Sequence, residues 1–424
     1  MLVMGGIVGA GIFANPSEVA HRVHTPFLIL SVWILGGFIA MCGAFIWAEL
    51  ATRLPGAGGQ YLYLREAYHP SVAFVYGWGL LLVTQTGGMA AVAIVFASYF
   101  RGLTGIAWSD GAIAAIVLLS LTAINCLGAR AGSNVQSLLM LLKIAAITAL
   151  VALGLALGGG SLKSGPLLGE PVSFGLLKSI GGAMVPIAFA YGGWQTATFV
   201  AGEMRDARRD LSRGLLVGVA GVVALYLAVN IACLRVLGGP GLDATTTPAS
   251  DVMRAVLGEH GAQWIAVAIA ISTLGFLSQS MLTAPRVYYA MAHDGLFFKS
   301  VGKLSPGSRA PVVAILLQGV AAMIIACSGT YGEILNFEIT VDFIFFGMTA
   351  AALFVLHRRQ IGSSAAIYRT PGHPFTTILF VLACAGIVGS AIVSAPRNSA
   401  TALCIMLTAL PVYYCWSRFK RTDS

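Results

Sequence analysis

Charge is what this 424-residue chain has least of. Asp, Glu, Lys and Arg make up 10% of it, against 58% hydrophobic residues, and its mean hydropathy is +0.85. Soluble domains carry roughly a quarter charged residues, so an ordinary soluble protein of this length is excluded. No polar stretch is long enough to hold a second, soluble domain. Cysteine is sparse and badly placed for bridging: Cys42, Cys126, Cys233, Cys327, Cys384, Cys404 and Cys415 fall within or at the ends of apolar runs, without paired loop spacing. That argues against a disulfide framework or a structural zinc site and makes them small core residues. The 7 histidines lie at run ends or in connectors, with no H-E-x-x-H pattern and no Cys/His cluster. The reading is therefore not an enzyme, with no cofactor and no metal.

What the chain does have is apolar runs long enough to cross a bilayer, since ~20 residues span its hydrocarbon core. Twelve are counted, at roughly 1–22, 26–50, 71–100, 111–127, 133–158, 179–201, 213–237, 262–291, 311–328, 332–356, 375–394 and 399–416. They predict an all-α integral membrane protein of twelve transmembrane helices. The first run is not a signal peptide, because it has no basic leading segment. The net charge of +9 follows side rather than surface patch. With the amino terminus inside, 17 of the 25 Lys and Arg fall in inner connectors and tail, 7 in outer connectors, and Lys143 lies within a run. This asymmetry predicts cytoplasmic termini, and orientation accounts for the basic residues without nucleic acid. The implied location is a bacterial inner membrane, with lipid as the surrounding partner.

Lys143 lies about ten residues into the run from Ser133 to Leu157, roughly 15 Å along a helix and near the bilayer centre. An ammonium there is costly unless it turns inward to oxygen ligands. Snorkelling to an interface would need its stem to reach as far again. Two runs are also interrupted. The first contains Gly5-Gly6-Ile7-Val8-Gly9-Ala10-Gly11-Ile12-Phe13, the sixth Pro186-Ile187-Ala188-Phe189-Ala190-Tyr191-Gly192-Gly193-Trp194. Each interior glycine costs a helix about 1 kcal/mol, so such clusters predict breaks, though small residues also serve close helix packing. If runs 1 to 5 and 6 to 10 are inverted repeats, both breaks occupy the first position of their half, where transporters place a substrate site. Unwound backbone frees amides and carbonyls that lipid cannot satisfy. An α-amino acid supplies both signs: a carboxylate for amides at a half-helix amino end, an ammonium for carbonyls at a carboxyl end.

At these residues the chain resembles the amino acid-polyamine-organocation (APC) superfamily, most closely its L-type amino acid transporter branch and bacterial relatives. Gly6 to Phe13 resembles the first-span signature of that family, and Phe189 to Trp194 its sixth-span signature. Ala48 to Pro55 with Gly58-Gly59-Gln60-Tyr61 resembles the segment after span 2, Leu274 to Ala290 resembles span 8, and Ala310-Pro311-Val312 the start of span 9. The likeness covers nearly the whole chain. It implies a five-plus-five inverted-repeat core with discontinuous helices 1 and 6 and two accessory helices. The implied division is residues 1–158, 179–357 and 375–417. It further implies that amides around Ala10 and Gly11 receive the substrate carboxylate, that carbonyls of Ile7, Phe189 and Gly192 receive its ammonium, and that Phe189 closes over it. Ala10 departs from the usual serine of the family and removes a hydroxyl there. Lys143 matches the position where sodium-independent members place a lysine in a sodium-shaped space, and Ser280 matches a hydroxyl facing that space. The implied bridge runs from Lys143 to the first break near Val8 and to Ser280. Tyr226 resembles a seventh-span tyrosine facing the substrate.

The resulting expectation is a sodium-independent secondary transporter, an exchanger or proton-coupled, of free α-amino acids by alternating access. No certain mid-membrane carboxylate is evident, which favours a neutral substrate. A carrier of polyamines or organic cations with the same fold is the alternative, and a membrane-embedded enzyme or sensor a distant third. Asp342 reads either as a proton-carrying acid or as a cap of span 10. Glu49 and Glu203 lie at run ends beside Arg53 and Arg205, where ion pairing or helix capping accounts for them, and Asn230 reads as a packing residue one turn from Tyr226. No outer-loop cysteine suggests a linked accessory subunit.

Overall fold

The computed structural model describes the chain apart from residues 1, 160–166, 169, 170, 172, 205, 308, 309, 329, 330, 363–367, 423 and 424, and the side chains of 129–133, 331–333, 335, 336 and 417–422. Lys163, Arg205 and Arg309, and the side chains of Arg130, Arg418, Lys420 and Arg421, from the charge distribution above thus lie outside the described residues. Within them every regular element is helical and there is no strand. In chain order the helices are α1 (Leu2–Ile7), α2 (Gly11–Val23), α3 (Pro26–Arg53), α4 (Gln60–Ala67), α5 (Pro70–Gly79), α6 (Gln85–Thr104), α7 (Asp110–Cys126), α8 (Ala129–Leu157) and α9 (Phe174–Tyr191). They continue as α10 (Ala207–Ala244), α11 (Pro248–Thr283), α12 (Pro285–His293), α13 (Val312–Ser328), α14 (Tyr331–Arg358), α15 (Phe375–Ser394), α16 (Pro396–Leu407) and α17 (Ala409–Thr422). A π-helical turn, Leu80–Thr84, joins α5 to α6, and a 3₁₀ segment, Trp194–Glu203, follows α9. Nine helical stretches of the described residues are long and apolar enough to cross a membrane, and α7 and α13 are shorter apolar helices.

Local chemistry sets several helix starts. The Thr25 hydroxyl accepts from the Leu28 amide at 3.2 Å with Pro26 in the first turn, and Ser173 accepts from Leu176 at 3.2 Å at the head of α9. Each side chain satisfies a donor that the helix itself leaves open. Burial then selects faces. On α8, Leu138, Leu141 and Leu142 are 60%, 55% and 43% exposed while Lys143 is fully buried. In lipid the exposed leucines sit in their preferred medium, and the lysine is turned to the protein interior. Helix α10 packs along α3, α11 along α8 and α6, and α14 along α15.

At one end of the bundle a buried polar knot ties three segments together. Glu49, fully buried on α3, accepts from Arg53 Nε at 2.8 Å and from the Thr370 amide at 2.8 Å, and its carboxylate meets His357 Nε2 at 2.7 Å. The expected Glu49–Arg53 pair is present, with α14 and the segment before α15 added to it. Removing one partner of a buried ion pair costs about 3–5 kcal/mol, because the other charge is left uncompensated. Glu49→Ala is therefore expected to lower the melting temperature of the detergent-solubilised protein clearly; an unchanged melting curve would show that the knot contributes little. Glu203 pairs with Arg286 of α12 at 2.8 Å, while Arg205, the neighbour named for it above, lies outside the described residues.

Candidate functional site

Helix α1 ends at Ile7 and α2 begins at Gly11. The Val8 amide still donates to the Met4 carbonyl at 2.9 Å, and the next backbone donation is from Phe13 to Ala10 at 3.1 Å. The amides of Gly9, Ala10, Gly11 and Ile12 have no hydrogen-bond partner among the described residues. All four sit at the amino end of a 13-residue helix, where the macrodipole adds a partial positive charge. Backbone and dipole together make a ready anion cradle.

Helix α9 ends at Tyr191, and its Pro186 is accommodated inside the helix while the Asn15 amide of α2 donates to the Pro186 carbonyl at 2.6 Å. The break itself falls at Gly192 and Gly193. Gly193 has φ +100° and its amide donates to Gln195 Oε1 at 3.0 Å. The carbonyls of Ala190, Tyr191 and Gly192 accept no backbone hydrogen bond among the described residues. They form the negative end of the α9 dipole. The two breaks touch. A side chain on Gly6 would bring its Cβ to 2.5 Å from the Gly193 carbonyl oxygen and 2.7 Å from Thr196 Oγ1.

Between the breaks lies a cavity. Ile7, Gly9, Ala10, Gly11, Phe189 and Gly192 line it on the side of the broken helices, and Ser280 and Phe276 of α11 line it as well. The remaining wall comes from the π-helical turn and α6, through Thr84, Gln85 and Gly88, and from α14, through Glu338, Asp342 and Phe346. Lys143 stands outside the cavity, behind the first break. Its Nζ donates to the Val8 carbonyl at 2.5 Å and the Gly5 carbonyl at 3.1 Å.

Over residues 1–414 the chain matches the amino acid permease family. It belongs to that family. The permease is similar along most of its length to curated proteins named as transporters. The serine/threonine exchanger SteT of Bacillus subtilis (strain 168) is 30% identical over 99% of this chain and 95% of its own. The mouse b(0,+)-type amino acid transporter 1 is 28% identical over 84% of the permease and 74% of its own chain. The human large neutral amino acids transporter small subunit 2 is 27% identical over 97% and 78%. The resemblance to the L-type branch and its bacterial relatives is thus borne out.

Most of the residues that the family likeness singled out converge on this site, but not all do so as expected. Ile7, Ala10, Gly11, Phe189, Gly192 and Ser280 line the cavity of the permease. Tyr226 does not. It is fully buried behind the first break, where its hydroxyl donates to the Ile7 carbonyl at 3.2 Å and its ring packs edge-on against Trp33. One lone pair of Ile7 is thereby used, so the tyrosine positions that carbonyl from the rear. Nor does Lys143 bridge to Ser280: among the described residues its ammonium donates only to the two carbonyls of the first break, while the Ser280 carbonyl accepts from Gln318 at 3.1 Å. Asn230 bonds within its own helix, to the Tyr226 carbonyl at 2.8 Å.

Asp342 is not a cap. It lies well inside α14, one turn after Glu338, with both residues on the cavity wall. Glu338 was not singled out in the sequence at all, and the absence of a mid-membrane carboxylate expected there is corrected by this pair. Two acids at i and i+4 within an apolar run were the available signal. The π-helical turn that brings Leu80 and Thr84 to the cavity had no sequence signal, since Leu-Leu-Leu-Val-Thr is compatible with an uninterrupted helix.

Proposed function

We propose that the permease is a secondary transporter of free α-amino acids that works by alternating access, without sodium and without covalent chemistry. The observation that carries this reading is the pairing of four unsatisfied amides at the head of α2 with unsatisfied carbonyls at the foot of α9 across one cavity. A zwitterion completes both sets at once, and a substrate with only one charge completes half. The carboxylate is assigned to the amides around Ala10 and Gly11, and the ammonium to the α9 carbonyls, that of Gly192 among them, with Ile7 sharing. Phe189 covers the substrate. Lys143 holds the carbonyls of Gly5 and Val8 as a cation would, so it replaces a sodium ion in fixing the first break.

The architecture in this proposal has twelve spans: the nine long stretches, the two shorter helices α7 and α13, and the broken pair α1 and α2. Residues 1–158 and 179–357 are two inverted repeats and 375–417 an accessory pair, in a bacterial inner membrane with both termini cytoplasmic. No accessory subunit is part of the proposal. Exchange is preferred over proton symport, in keeping with a relative named as an exchanger. The expectation of a neutral substrate rested on a missing carboxylate, and Glu338 and Asp342 remove that basis. They also favour the second reading, a carrier of polyamines or organic cations, but a polyamine has no use for four free amides.

The test is reconstitution into liposomes with one radiolabelled amino acid, varying internal amino acid, pH gradient and sodium independently. Uptake that needs internal amino acid and ignores sodium is the expected result. Uptake of no α-amino acid under any of these conditions would overturn the proposal.

A further inference from the structure

The wall opposite the broken helices carries chemistry that a zwitterion alone does not use. Glu338 and Asp342 stand one turn apart on α14, so their carboxylates repel unless something positive stands between them. Among the described residues no Lys, Arg or His lines this cavity. Glu338 Oε2 is buried with no hydrogen-bond partner among the described residues, and the carboxylate sits close against the backbone of α6, where a Cβ on Gly88 would approach its oxygens to 2.8 and 2.9 Å. The side chain is held in place without being satisfied. Beside it, Gln85 lines the same cavity at 8% exposure, and its carboxamide has no hydrogen-bond partner among the described residues. Thr84 lies next to the Asp342 carboxyl. A buried carboxylate without a partner is costly, and an ionisable pair inside a membrane marks a site for a mobile charge.

We propose that Glu338, Asp342 and Gln85 form a cation subsite for the side-chain ammonium or guanidinium of a dibasic amino acid. The backbone groups at the two breaks hold the α-carboxylate and α-ammonium, and the α14 acids hold the far end of the side chain. This rests on the amino acid reading above and deepens it: the permease accepts lysine, ornithine or arginine in addition to uncharged amino acids. The positive end of the substrate displaces the repulsion between the two carboxylates, while Gln85 offers its carbonyl oxygen as a third ligand.

Competition against radiolabelled leucine uptake in liposomes tests the proposal on the unaltered protein. L-lysine is expected to compete at least about tenfold better than Nε-acetyl-L-lysine or norleucine, because charged hydrogen bonds made by the ammonium are lost in both analogues. Cadaverine, which keeps both amines and lacks the carboxylate, is expected to compete poorly. In Glu338→Gln and Asp342→Asn the ratio of lysine to leucine affinity should fall by about tenfold or more. Failure of every amino acid to be transported would defeat the transporter reading itself. Leucine uptake with lysine no better than norleucine would overturn the subsite alone. So would cadaverine competing as well as lysine, or variants that lose lysine and leucine affinity in equal proportion.

Discussion

Lys143→Ala is expected to cut amino acid uptake by at least about tenfold while the protein still reaches the membrane. The ammonium is fully buried and donates to two carbonyls, Val8 at 2.5 Å and Gly5 at 3.1 Å, which no other described group serves. Hydrogen bonds from a charged donor contribute about 1.5–3 kcal/mol each, and removing the donor leaves the acceptors buried and unmade. The last turn of α1 would then be free to wander relative to α8. Since the amides of Gly9 to Ile12 follow directly, their convergence on the cavity depends on that anchor. Lys143→Gln separates geometry from charge, because a carboxamide can still donate to a carbonyl. Partial recovery of uptake in the glutamine variant supports a positioning role; full uptake in the alanine variant would show that the first break holds its shape without Lys143.

Gly6→Ala and Gly193→Ala are each expected to reduce uptake by about tenfold or more, through a different cause. A Cβ on Gly6 would overlap the Gly193 carbonyl oxygen at 2.5 Å, and that oxygen is backbone, which cannot swing aside. Gly193 adds a conformational demand, since φ +100° is a region that L side chains rarely adopt. Overpacking of this kind costs about 1–3 kcal/mol, enough to prise the two breaks apart. The double variant should lose little more than either single one, because both substitutions act on the same contact. Gly386→Ala is the control: nothing lies within 4 Å of the position a Cβ would take there, and it should transport as the parent does. Parental uptake in Gly6→Ala would mean that close approach of the breaks is not needed.

Much of this site was legible before any coordinates. Clustered glycines in the first and sixth apolar runs announced breaks because helix propensity penalises them strongly and lipid gives no alternative partner to the freed backbone. Lys143 announced an inward-facing anchor through its depth alone. The limits came from faces. A run that is apolar all round carries no amphipathic signal, so nothing in α14 told which side Glu338 and Asp342 occupy, and nothing in α10 told that Tyr226 points behind the break instead of into the cavity. Pro186 left no break of its own: α9 runs through it to Tyr191, and the chain opens at the glycine pair that follows. Glu203 shows the same limit of sequence proximity: tertiary packing brings Arg286 to it across 83 residues.

The most direct measurement is a structure of the permease, in lipid nanodiscs, with a transported amino acid bound. Its carboxylate should lie within hydrogen-bond distance of the amides of Ala10 and Gly11, and its α-ammonium against the carbonyls at the end of α9. A ligand bound elsewhere, or residues 8–10 wound into one continuous helix with the substrate present, would contradict recognition by the two broken helices.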